Sequence, residues 1–228
     1  MPNRFESRSQ AGRALGEKLR HLRAADPVVL ALPRGGIAVA REIASALGAP
    51  LDVLNVRKVG VPGHEEVAMG AVATGGVRVW NDEVLGSVAV SREAMEALSA
   101  EAAREVERRE RLYRAGRPPL DLRGRTVILV DDGIATGATM RAAVDVARAS
   151  GARRVVAATP VVDAGVAAAL RPRVDELVAL TVPSTMIAVG VWYDDFPQLS
   201  DDDVRHILSM GRSRGEPRHG ESAEIGFD

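Results

Sequence analysis

The chain has no cysteine, so disulfides, cysteine-ligated zinc or iron–sulfur centres and a cysteine nucleophile are excluded. Aromatic residues are scarce, with two Trp, two Tyr and three Phe among 228 residues, so the core must rest on Val, Leu, Ile and Ala. Charge of one sign is lacking as well. The formal net charge of -1 at pH 7 gives no support for a general nucleic-acid surface. No apolar run approaches the length of a membrane span, and the N-terminus, MPNRFESRSQAGRALGEKL, lacks the apolar stretch and cleavage-like site of a secretory signal. The expectation is a soluble, cytoplasmic protein. What is present, 46% hydrophobic and 27% charged residues, suits one globular domain. Its expected span is 1–210, with 211–228 a polar, glycine-rich and disordered tail.

Periodicity gives an α/β pattern. Residues 8–23 carry Ala11, Leu15, Leu19 and Leu22 on one helical side. Val28 to Leu32 is a continuous apolar run of the kind that forms a buried strand. After PRGG, Ile37 to Leu47 reads as helix, stopped by Gly48-Ala49-Pro50, and LDVLNVRK follows as a second strand. Strand, helix, strand within so short a span is the mark of a crossover unit around a parallel sheet. Val59 to Gly76, rich in glycine and carrying His64, Glu65 and Glu66, reads as a long mobile loop with a short strand near Ala71. Val77 to Trp80 reads as a strand, Ser91 to Tyr113 as a helix with a solvated charged face, and Gly116 to Gly124 as a link. Later strands are expected from Arg154 and over Glu176 to Val182. Later helices are expected over 139–149, Asp163 to Leu170, and Asp201 to about Met210.

The most informative stretch is TVILVDDGIATGATMRAAV, Thr126 to Val144. If Val127 to Val130 is a parallel strand, Asp131 and Asp132 sit at its carboxyl end, where open α/β sheets place ligands. Gly133 to Gly137 can turn tightly and expose N–H groups, Thr136 and Thr139 add hydroxyls, and the next helix points its positive end into the same loop. That makes a phosphate site. Two carboxylates are poor phosphate ligands, so they are suited instead to the hydroxyls of a sugar or to Mg2+ held through water. The plainer alternative is that Asp131 caps the helix or loop while the glycines only make a turn. The Gly-Lys-Thr/Ser ending of nucleotide hydrolases is missing, and the aspartates precede the glycines, unlike a dinucleotide fingerprint.

Residues 127–139 resemble the phosphoribosyl-pyrophosphate (PRPP) motif of type I phosphoribosyltransferases: an apolar strand, both acidic residues, and the Thr136-Gly137-x-Thr139 ending. From about residue 10 to 210 the chain resembles an uncharacterised bacterial subgroup of that family. The resemblance implies a three-layer, open and mostly parallel sheet with a mobile loop and small edge or hood additions. It implies that Asp131 and Asp132 hold the ribose hydroxyls. It also implies that Gly133, Ile134, Ala135, Thr136, Gly137, Ala138 and Thr139 cradle the 5-phosphate. LPRGG is a second match, in which Arg34, Gly35 and Gly36 hold pyrophosphate and the Pro33–Arg34 bond is cis. Arg57 and Lys58, at the end of the second strand, are further cations that either meet the pyrophosphate or are simply solvated, and His64 and Glu65 are candidate chemistry on the mobile loop. VGVWYDDF is a third match, making Asp194 a metal contact beside Asp131 and Asp132.

The resemblance further implies a Mg2+-using enzyme, commonly a homodimer. It would move phosphoribosyl from PRPP to a nitrogenous base, as in nucleotide salvage. Two departures limit this. Ala135 stands where the 6-oxopurine enzymes usually have an aspartate, and Ile187 stands where their base-stacking aromatic falls. The acceptor is therefore open. The alternatives are a non-catalytic PRPP-binding regulator and a hydrolase or phosphorylase acting on a ribosyl phosphate.

Overall fold

The computed structural model describes residues 4–115 and 118–212; most of the expected tail and part of the expected link lie outside these. Five strands form a parallel sheet: β1 (Val28–Ala31), β2 (Leu51–Val53), β6 (Thr126–Val130), β7 (Arg154–Val161) and β8 (Glu176–Thr181). Three more, β3 (Val56–Val61), β4 (His64–Ala73) and β5 (Arg78–Trp80), form a separate antiparallel sheet. Seven α-helices complete the described chain: α1 (Arg8–Lys18), α2 (Gly36–Leu47), α3 (Asp82–Ser87), α4 (Arg92–Arg114), α5 (Ala138–Ala149), α6 (Ala164–Leu170) and α7 (Asp201–Arg212).

The apolar runs of β1, β6 and β7 are buried on both faces because strand side chains alternate. Val28, Leu30, Val127, Leu129, Val155 and Ala157 enter one core with α5 and α6. Val29, Ala31, Ile128, Val130, Val156 and Ala158 enter the other, with α1, α2 and α7. The result is the expected three-layer α/β arrangement. Sheet order is β2-β1-β6-β7-β8. The chain moves outward from β1 to β2, then returns past β1 to β6, so the order reverses between β1 and β6. Such a reversal opens a crevice at the carboxyl ends of the two strands. PRGG leaves β1 there, and Asp131-Asp132 leaves β6.

Two expectations differ from the structure. LDVLNVRK is not one strand: Asn55, joined to Thr74 by backbone and side-chain hydrogen bonds of 3.0 Å each, separates β2 from β3, which turns into the second sheet. Val59 to Gly76 is mainly an antiparallel hairpin instead of a long loop. Its glycines serve the sheet. Gly63 takes φ +77° in the turn after Pro62, the residue order suited to a type II turn. Gly70 lies beneath Trp80, whose ring is 2.5 Å from where a Cβ would stand. This sheet also closes a third apolar cluster, in which Val59, Val61, Met69 and Val72 meet Ala102, Met95 and Leu98 of α4.

Candidate functional site

The loop after β6 is fixed by its neighbours. Ile134 N–H donates to the Val161 carbonyl (2.9 Å), and Asp163 N–H donates back to the Ile134 carbonyl (3.1 Å). The Ile134 side chain is core, and these bonds take both of its backbone groups, so Ile134 fixes the shape of the loop. Gly137 takes φ +71° at the head of α5. The helix ladder begins with Arg141 N–H to the Gly137 carbonyl, so the N–H groups of residues 138–140 stand at the open end of α5. Thr136 and Thr139 are exposed beside them, while Ala135 and Ala138 are half-buried. The Arg141 guanidinium donates to the Thr136 carbonyl at 3.1 Å, bringing to the loop a cation that sequence reasoning missed. Together these groups can bind an anion.

The acidic pair is held from several sides. Asp131 Oδ1 accepts the Asp132 N–H at 2.9 Å. Asp132 Oδ2 accepts from Arg8 Nε at 2.7 Å, and the Asp132 carbonyl accepts from the Tyr193 hydroxyl at 2.6 Å. Burial first, and the adjacent Asp132 charge second, push the Asp131 carboxyl well above the usual carboxylate range. Burial, then the Asp132 charge, also push the Tyr193 phenol up, so it stays a donor. Arg8 and Tyr193 are not legible as site residues in the sequence, because the periodicity of α1 marks only its apolar stripe and VGVWYDDF points to Asp194.

Across the crevice, Pro33–Arg34 is a cis peptide. Arg34 is exposed and makes no ion pair with any described residue. The loop glycines are required by β6. A Cβ on Gly35 would lie 1.9 Å from Asp132 Oδ2, and one on Gly36 would lie 2.5 Å from the Val130 carbonyl oxygen. The two loops thus pack directly on one another, bringing Arg34, Gly35 and Gly36 to the acidic pair.

Other expected residues are placed differently. Arg57 and Lys58 start β3 in the antiparallel sheet, opposite Val72 and Ala71. Consecutive strand residues face opposite ways, so the two do not form a cationic pair on one face. His64 and Glu65 are exposed at the hairpin tip, where Glu65 Oε1 accepts from Gly63 N–H at 3.2 Å. Asp194 is not gathered with Asp131 and Asp132. Its backbone N–H donates to the Phe5 carbonyl (2.9 Å), and its carboxylate pairs with Arg4 at 3.1 Å on the surface. Among the described residues no group of three His, Asp or Glu side chains is gathered where it could hold a metal ion, and residues 194 and 195 are paired with the N-terminal segment. VGVWYDDF forms a short 3-10 turn, Val189–Trp192, and an isolated bridge from Tyr193 to Phe5.

A family described as "Phosphoribosyl transferase domain" matches residues 6–191. "Putative phosphoribosyl transferase Rv0571c" of Mycobacterium tuberculosis is 47% identical over 204 residues, which are 90% of this chain. The chain spans 46% of that relative's length. The solved structure of TT1426 from Thermus thermophilus is 45% identical with a TM-score of 0.84, covering 90% of this chain and 97% of that one. No helix among the described residues is long and apolar enough to cross a membrane.

Proposed function

Because the chain belongs to the phosphoribosyl transferase domain family, we propose that it moves the 5-phosphoribosyl group of PRPP to a ring nitrogen of a nitrogenous base, releasing pyrophosphate. The observation that carries this reading is the crevice between β1 and β6. Two adjacent carboxylates and a helix-capping loop stand on one side of it, and the Pro33–Gly36 loop packs against them from the other. A diol and a phosphate on one ligand match the first side, and a second anionic group matches the other.

In this reading Asp131 and Asp132 accept hydrogen bonds from the ribose 2- and 3-hydroxyls. The N–H groups at the head of α5, with Thr136 and Thr139, bind the 5-phosphate. Arg34 and nearby N–H groups take the pyrophosphate. The C1–O bond breaks with its electron pair leaving on pyrophosphate, and positive charge grows on C1 and the ring oxygen. A nitrogen lone pair then forms the new C1–N bond from the opposite face, and where that nitrogen carries a proton the proton is lost to the released pyrophosphate or to water. Fixing the ribose contributes by positioning, and the acidic pair adds negative field near the developing charge. No covalent nucleophile on the protein is required.

Magnesium fits as an ion carried on PRPP. The side-by-side carboxylates offer hard oxygen donors within reach of a water shell, whereas Asp194 is committed to Arg4. On PRPP the ion supplies neutralisation of the leaving pyrophosphate. The β3–β4 hairpin, with His64 and Glu65 at its tip, is read as the cover that keeps water from the sugar cation. Ile187 is 92% exposed, and with Ala135 it supports an acceptor read differently from a 6-oxopurine.

The test is pyrophosphate release from PRPP with Mg2+ across adenine, guanine, hypoxanthine, xanthine, uracil, orotate and nicotinate. Turnover with one base supports the transferase reading. Release without any base indicates a hydrolase. PRPP binding with no release indicates a regulator.

A further inference from the structure

The crevice is bounded on a third side by segments from opposite ends of the described chain. Phe5 N–H donates to the Trp192 carbonyl (2.8 Å), Asp194 N–H to the Phe5 carbonyl (2.9 Å), and Asp195 N–H to the Glu6 carbonyl (3.0 Å). These bonds set residues 4–8 beside residues 192–197. From this joint a buried arginine, Arg8, reaches the acidic pair.

Burying a guanidinium is costly unless its charge and its N–H groups are matched. Arg8 is matched on every side the structure shows. Its Nε donates to Asp132 Oδ2 at 2.7 Å, and its Nη1 donates to the Pro197 carbonyl at 2.8 Å. Its flat face lies 3.7 Å from the centre of the Phe196 ring. Phe196 stacks on Tyr193, with ring centres 4.9 Å apart, and the Tyr193 hydroxyl donates to the Asp132 carbonyl. Asp132 is thus held at its carboxylate by Arg8 and at its backbone by Tyr193. Its Oδ1 accepts from no described residue and remains for a ligand.

We propose that Arg8 is a positioning residue for the ribose-hydroxyl site, fixing the rotamer of Asp132 and offsetting the repulsion between the two adjacent carboxylates. The proposal rests on the reading that this pair takes the ribose of PRPP. It assigns Arg8 an effect on sugar-bearing ligands and none on a bare phosphate at the head of α5. Without Arg8, Asp132 loses its partner in a confined space beside Gly35 and turns from the geometry that a vicinal diol requires.

The experiment measures binding of Mg2+–PRPP, ribose 5-phosphate and inorganic phosphate by calorimetry. The proteins are the wild type, Arg8→Met, Arg8→Lys, Asp132→Asn and the Arg8→Met/Asp132→Asn double variant, each checked for fold by circular dichroism. The expected result for Arg8→Met is a loss of about 10-fold or more for both sugar ligands, with phosphate affinity unchanged. Arg8→Lys restores part of the loss, and the double variant binds no more weakly than Asp132→Asn alone. Should Arg8→Met fail to fold, Arg8→Lys decides by the same comparison of sugar with phosphate. Affinities equal to wild type, an equal loss for phosphate, or additive losses in the double variant overturn the proposal. A wild type that binds neither PRPP nor ribose 5-phosphate overturns the ribose reading as well, which separates the two failures.

Discussion

Asp131 combines a raised carboxyl pKa with a place in the proposed ribose site, and the two properties pull in opposite directions. Burial and the Asp132 charge raise its folded pKa. Below about pH 4 it is protonated in folded and unfolded chains alike and costs nothing. As pH rises past that value the unfolded chain ionises while the folded one resists, so ligand-free stability falls. Asparagine at 131 keeps an Oδ1 acceptor for the Asp132 N–H and removes the charge. Asp131→Asn should therefore melt higher than wild type at pH 7, match it near pH 3, and bind PRPP more weakly; calorimetric melting at both pH values reads the first two. Gly35 gives a second prediction at this scale. A methyl group there would stand 1.9 Å from Asp132 Oδ2, so Gly35→Ala should weaken PRPP binding by about 10-fold or more while the circular dichroism spectrum stays that of the wild type. The need for glycine was legible in PRGG, but its cause was not. The sequence suggested room for an anion, whereas the missing Cβ faces the aspartate of another loop.

Among the elements, those buried on both faces were the most legible. Val28 to Leu32 and Val127 to Val130 are continuous apolar runs, and burial on two sides leaves them no polar alternation. The β3–β4 hairpin has the sequence of a loop because glycine is a poor guide wherever close packing replaces flexibility: Gly60 and Gly70 sit against Glu65 backbone and the Trp80 ring. The six-residue α3 was missed because it buries no residue and so leaves no periodic stripe. A more consequential element contact starts at Asp163, the N-cap of α6. Its Oδ1 accepts from Gly165 N–H at 2.9 Å and its Oδ2 from Met186 N–H at 3.1 Å. That second bond ties the segment before Val189, whose side chain packs on Gly133 of the anion loop, to a helix terminus. Asp163→Ala should cost about 1 kcal/mol of stability, measured by urea unfolding, and should raise amide exchange at residues 186–189.

At the scale of the whole molecule, the antiparallel sheet and α4 are fastened to the parallel sheet by a buried ion pair. Arg114, at the end of α4, donates to Asp52 Oδ2 of edge strand β2 at 2.7 Å and to the Val53 carbonyl at 2.8 Å; both charged side chains are at most 3% exposed. Arg114→Met takes one charged partner from the buried Asp52 carboxylate, which keeps the Val53 N–H on its other oxygen at 2.9 Å, so it should destabilise the fold by roughly 1.5–3 kcal/mol in denaturant titration. Neither residue was marked by the sequence, because a pairing across 62 positions leaves no local pattern. The crevice was legible for the opposite reason: Asp131 to Thr139 is one continuous stretch whose chemistry survives without knowledge of the fold. Arg8 and Tyr193 come to it only when the ends of the described chain meet. The most direct test is calorimetric titration of Mg2+–PRPP into the wild type and the Asp131→Asn/Asp132→Asn double variant. Saturable binding by the wild type, lost in a folded double variant, is the predicted result. A wild type that does not bind, or a folded double variant with unchanged affinity, would contradict the assignment of the acidic pair to the ribose.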